Sequence, residues 1–91
     1  QEEPTNYTAA DLLIYPNPTQ SAFTIVTPES LTGFGQVLVF DNMGRAVLNQ
    51  QINLETNIHS FSAEQWPAGL YWIRLTVEEE VIRLGKISVI K

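Results

Sequence analysis

The sequence predicts an all-β fold, an antiparallel β-sandwich of about seven strands. Three observations carry this reading. Short apolar segments rich in aromatic and β-branched residues recur at roughly ten-residue intervals, separated by Pro, Gly, Asn and Asp. The stretch Gly69 to Val77 alternates, with Tyr71, Ile73, Leu75 and Val77 on one side and Trp72, Arg74 and Thr76 on the other. No apolar pattern of helical period extends beyond one turn. The acidic run Glu78-Glu79-Glu80 and the segment Val81 to Ile90 then make the last third a hairpin, which is marginal alone and needs earlier strands over its apolar face.

Taken in order, residues 1–10 are polar, contain Pro4 and read as a linker; the folded part is expected over residues 11–91. Asp11 to Tyr15 is a short apolar strand stopped by Pro16-Asn17-Pro18, since each proline removes a backbone donor and holds its predecessor extended. Ala22 to Thr27 follows, with Phe23, Ile25 and Thr27 on one side. Pro28 to Gly35 reads as a loop, with Gly33 and Gly35 available for positive φ. Gln36 to Phe40 is apolar on both alternations and reads as a central strand whose inward face is undecided.

Asp41-Asn42-Met43-Gly44 is a turn by residue type at each position. The strand from Arg45 to Leu54 has an ambiguous phase: Ala46 and Leu48 face inward, or Val47 and Ile52 do after a bulge at Gln50-Gln51. Ile58 to Phe61 is another short strand. Ser62 and Gln65 stand at capping-box spacing, which predicts one helical turn that tucks Trp66 against the core before Pro67-Ala68-Gly69. The parity change across Gly85 predicts a bulge or bend there.

With 91 residues and 44% hydrophobic content the chain holds one core and one domain. The absence of cysteine rules out disulfides and thiolate metal sites, and without Cys-Trp-Cys spacing an immunoglobulin-like architecture would lack the antibody-type signature. No apolar run approaches the ~20 residues of a helical membrane span. A start at Gln1, without a basic-then-apolar leader, fits a fragment or processed product of a longer precursor. Charge is uneven: residues 1–80 carry ten carboxylates against two arginines, whereas Arg83, Lys86 and Lys91 follow with no carboxylate. The acidic bulk should repel nucleic acid, and the basic end offers a local docking strip.

Chemistry is sparse. His59 is the lone histidine and stands beside no nucleophile or ligand cluster; a triad with Asp11 or Asp41 has no spacing to select it. The side chains of Glu78, Glu79 and Glu80 diverge in a turn, unlike a paired acid/base site or a spaced calcium loop. Trp72 faces away from Tyr71 and Ile73, which gives it three readings: structural cover, a protein contact, or carbohydrate stacking. No catalytic, cofactor-binding or metal site is expected.

Four stretches in this order, Ile14-Tyr15-Pro16-Asn17-Pro18, Val39 to Arg45, Pro67 to Leu75 and Lys86-Ile87-Ser88-Val89, resemble the C-terminal sorting domain of type IX secretion, found in Bacteroidota. The resemblance covers residues 11–91. It implies an immunoglobulin-like, non-catalytic address at the end of a cargo protein that passes through the periplasm. It also implies reading by outer-membrane translocon or shuttle proteins, delivery to the cell surface or beyond, and in many members removal by a surface sortase. On this basis Tyr15, Pro16, Asn17 and Pro18 correspond to the opening motif, and Lys86, Ile87, Ser88, Val89, Ile90 and Lys91 to the terminal recognition strand. Asp41, Gly44, Gly69 and Tyr71 are motif positions with structural work. The last strand is expected to leave an edge that docks to a partner sheet. The alternative is a retained structural or adhesion module.

Overall fold

A computed structural model describes residues 12–91. The expected linker, and Asp11 at the head of the first strand, lie outside the described residues. Seven strands form two antiparallel sheets: β1 (Leu13–Tyr15), β2 (Ala22–Val26), β3 (Phe34–Phe40), β4 (Ala46–Asn53), β5 (Ile58–Ser62), β6 (Gly69–Val77) and β7 (Glu80–Val89). One sheet has the order β1-β2-β5 and the other β4-β3-β6-β7, an immunoglobulin-like sandwich. No helix occurs among the described residues.

Alternation decides which side chains meet between the sheets. Phe23 and Ile25 from the smaller sheet face Val37, Val39, Ile73, Leu75, Ile87 and Val89 from the larger, all at most 1% exposed. Burial of each such side chain stabilises by about 1.5–3 kcal/mol relative to exposure. β3 is central, between β4 and β6, which explains its apolar residues on both alternations: Val37 and Val39 are buried while Leu38 and Phe40 cover the outer face. Tyr71, Ile73 and Leu75 point inward as the alternation of β6 requires.

Two irregularities differ in place from the sequence expectation. In β4 the register shifts where Val39 pairs Leu48 and Phe40 pairs Ala46, so Val47 is the extra residue and Gln50-Gln51 pair regularly. Leu48 and Ile52 consequently share the inward side. In β7 the shift lies between Val81 and Arg83, at Ile82, whereas Gly85 pairs Ile73 in register. Gly85 has a packing role instead. A Cβ there would stand 2.7 Å from Ile14 Cδ1 and 3.3 Å from Leu12 Cβ, so the missing side chain admits the first strand.

Two loops also resolve differently from the pattern. Phe34 and Gly35 belong to β3, leaving Gly33 as the residue with positive φ, 82°. The expected helical turn after Ser62 is a tight turn in which Trp66 N–H donates to Ala63 C=O at 3.1 Å and Glu64 N–H to Ser62 Oγ at 3.2 Å. Trp66 nonetheless packs where expected, 5.8 Å from Phe23 and 5.0 Å from Tyr71 between ring centroids.

The β6–β7 hairpin closes with Val77 opposite Glu80, so Glu78 and Glu79 form a two-residue loop with φ of 55° and 69°. That is the backbone of a type I′ turn, which favours Asn-Gly because both positions are left-handed. Two glutamates there carry backbone strain and adjacent like charge. The double substitution Glu78→Asn, Glu79→Gly is therefore expected to raise unfolding free energy by about 1–2 kcal/mol, measured by urea denaturation.

Candidate recognition site on the last strand

β7 is an outer strand of the larger sheet, and an unpaired edge would invite association with any other strand. Its inward residues Ile87 and Val89 are core residues, while Lys86 and Ile90 are exposed and Ser88 is half-buried. The edge is occupied by the chain's own first segment. Leu12 N–H donates to Leu84 C=O at 3.0 Å, Thr19 N–H to Ser88 C=O at 2.9 Å, and Ile90 N–H to Thr19 C=O at 2.8 Å.

Asn17 fills the gap between those backbone contacts. Its Nδ2 donates to Lys86 C=O at 2.9 Å, and its Oδ1 accepts from Ser88 N–H at 3.0 Å. The side-chain amide thus stands in for a peptide group of a neighbouring strand. Pro16 and Pro18 explain why: neither has a backbone N–H, so this stretch cannot continue a ladder through its own main chain. The peptide bonds preceding both prolines are cis. Thr19 is 2% exposed, pairs in parallel with Val89, and its hydroxyl donates to Ala22 C=O.

The opening motif and the terminal strand, separate in sequence, are one structural unit. Contrary to the open edge expected from sequence, the backbone of Lys86 to Ile90 is bonded to Asn17 and Thr19. Lys91 closes the end: its Nζ donates to Ala63 C=O and Glu64 C=O, each at 3.2 Å, and to Gln20 C=O at 3.4 Å. Tyr15 pairs with Thr24 and remains 46% exposed. Leu12, Thr19 and Gly85 were missed by sequence reasoning, and only the parity change at Gly85 gave any signal.

The other motif residues hold turns. Asp41 Oδ1 accepts from Met43 N–H and Arg45 N–H, both at 2.9 Å, and Oδ2 accepts from Arg45 Nε at 3.0 Å. The Arg45 N–H bond leads the causes that hold the Asp41 carboxyl below its usual pKa of 3.8. Gly44 adopts φ 85° in this turn. Tyr71 is buried, and its hydroxyl donates to Pro67 C=O at 2.6 Å, fixing the chain's entry into β6 through Gly69. Burial pushes the Tyr71 hydroxyl above its ordinary pKa of 10.0.

Among the described residues, the candidates for chemistry stay apart. His59 Nε2 lies 2.8 Å from Thr56 C=O, a local bond across its own turn. Asp41 is committed to Arg45. Among the described residues no three His, Cys, Asp or Glu side chains could hold a metal together. The concavity containing Glu78 and Glu79 is an open groove lined also by Phe34, Gln36, Gln51 and Thr76, with no nucleophile–base pair.

The model of one family, described as a secretion system C-terminal sorting domain, matches residues 13–90. No curated protein matches the chain.

Asn17→Ala is expected to lower stability by about 1–2 kcal/mol through loss of two hydrogen bonds, and hydrogen exchange should show faster exchange at Ser88. Asp41→Asn tests the turn. A carboxylate with a lowered folded pKa contributes its stability above the ordinary value and loses it as pH falls through the lowered one. The substitution should lower Tm at neutral pH and flatten the acid-side decline below about pH 4, as read by thermal melts across pH.

Proposed function

Because the chain belongs to the C-terminal sorting domain family of type IX secretion, we propose that it is a non-catalytic address that carries an attached cargo across the outer membrane. The family match over residues 13–90 carries this reading. The upstream cargo of the same precursor, the outer-membrane translocon or shuttle proteins and, where cleavage occurs, a surface sortase are the partners. The path runs through the periplasm to the cell surface or the medium, with removal of the domain in or just before residues 1–10.

Recognition is assigned to Lys86, Ile87, Ser88, Val89, Ile90 and Lys91 as a folded unit. Because the edge of this strand is bonded to Asn17 and Thr19, the partner reads side chains of the closed domain, and Ile87 and Val89 serve by holding them in place. Deletion of residues 87–91 would remove two core side chains along with the signal, so it cannot separate folding from recognition. Gain of function separates them. Residues 1–91 fused to an inert periplasmic reporter in a host with type IX secretion should deliver it to the surface. A folded, abundant fusion that stays in the periplasm would sink the reading. Mass analysis of the mature surface protein distinguishes a cleaved address from a retained module: loss of residues 11–91 marks cleavage.

A further inference from the structure

The outer face of the larger sheet carries two rows of side chains set by strand register. Phe40, Trp72 and Lys86 form one row; Leu38, Arg74 and Leu84 form the next. Trp72 is 41% and Leu84 47% exposed, although both are large apolar residues. Phe40, Trp72, Arg74, Leu84 and Lys86 line a groove of ≈ 240 Å³ over Ile73 and Gly85. That is below the ~300–1,000 Å³ of small-molecule sites, and suits an anchoring side chain of a larger partner.

The charge of this groove is opposite to that of the chain. It contains two cations and no carboxylate, in a protein of net charge −5. Arg74 sits over the Phe40 ring, its guanidinium carbon 4.9 Å from the centroid, an arrangement that orients the fork without neutralising it. Its Nε is buried and has no hydrogen-bond partner. A buried donor without an acceptor is a cost to folding, and an apolar side chain of similar length would cover the same surface without it. A carboxylate entering the groove would meet the guanidinium of the half-buried Arg74 in a charge-assisted bond, while Trp72 and Leu84 would cover an adjacent apolar side chain.

We propose that this groove docks an acidic peptide segment of the export apparatus, with a carboxylate between Arg74 and Lys86 and a neighbouring aliphatic or aromatic side chain on Trp72 and Leu84. The inference rests on the sorting reading and adds the chemistry of the partner. It extends the recognition surface from the last strand to the outer face of β6.

The test uses the full chain fused to the periplasmic reporter in a type IX-secreting host, with surface delivery and Tm measured for each variant. Arg74→Met and Lys86→Glu should each reduce delivery roughly tenfold or more, since truncating one partner of a desolvated charge pair has effects of that size. Arg74→Met should melt at or above the parental temperature, an outcome that a merely structural arginine would not give. The remote Gln50→Glu on β4, at an exposed position, should deliver like the parent. Lys86→Glu lies at an exposed position, so it keeps the test valid if Arg74→Met misfolds. Parental delivery by folded Arg74→Met and Lys86→Glu overturns the groove alone. Loss in Leu84→Ser with no loss in either charge variant overturns the acidic assignment. A parental chain that is not delivered overturns the sorting reading, and the groove's role in export with it.

Discussion

Closure of the outer edge of β7 by the first segment of the chain is the constraint on which the rest depends. Residues 13–15 pair with β2 in the smaller sheet, whereas Leu12, Asn17 and Thr19 bond to β7 in the larger one. A single stretch of about eight residues is thereby tied to both sheets, a short reach for an extended chain. It holds the sheets at the spacing their core side chains need, and it satisfies backbone groups that a free edge would leave open. Gly85 completes the arrangement, because a side chain there would collide with Ile14.

The same closure shapes how an address can be read. A signal displayed as a bare strand would pair with many partners through main-chain bonds, which carry little sequence information. Here Lys86 C=O, both main-chain groups of Ser88 and Ile90 N–H are bonded to Asn17 and Thr19, and Lys91 is bonded to three carbonyl groups. What a partner meets is a folded surface of side chains. On the reading proposed above, specificity would come from side-chain identity and charge on the folded domain.

Charge distribution supports that division of labour. The carboxylates lie in the turn after β6 and at the first residue of β7, in loops and in the N-terminal part, while Arg74 and Lys86 share a groove without an acid. An acidic chain keeps non-specific contacts with nucleic acid and other acidic surfaces weak. A cationic, partly apolar groove on that background is a local exception, and complementary charge at such a place sets partner choice and encounter rate.

Much of this was legible in the residues. Period-two alternation fixed the inward face of β2 and β6, Asp41 and Gly44 announced their turn by residue type, and the outward position of Trp72 followed from that of Tyr71, because side-chain direction in a strand is a local property of the backbone. The inward face of β3, the bulges at Val47 and Ile82, and the reason for Gly85 were beyond reach. Each depends on which strand lies alongside and what stands above it. The pairing of Asn17 with Lys86 and Ser88, and the gathering of Phe40, Arg74 and Leu84 into one groove, were likewise decided by tertiary structure. These residues come from segments far apart in sequence, and only strand order and register bring them together.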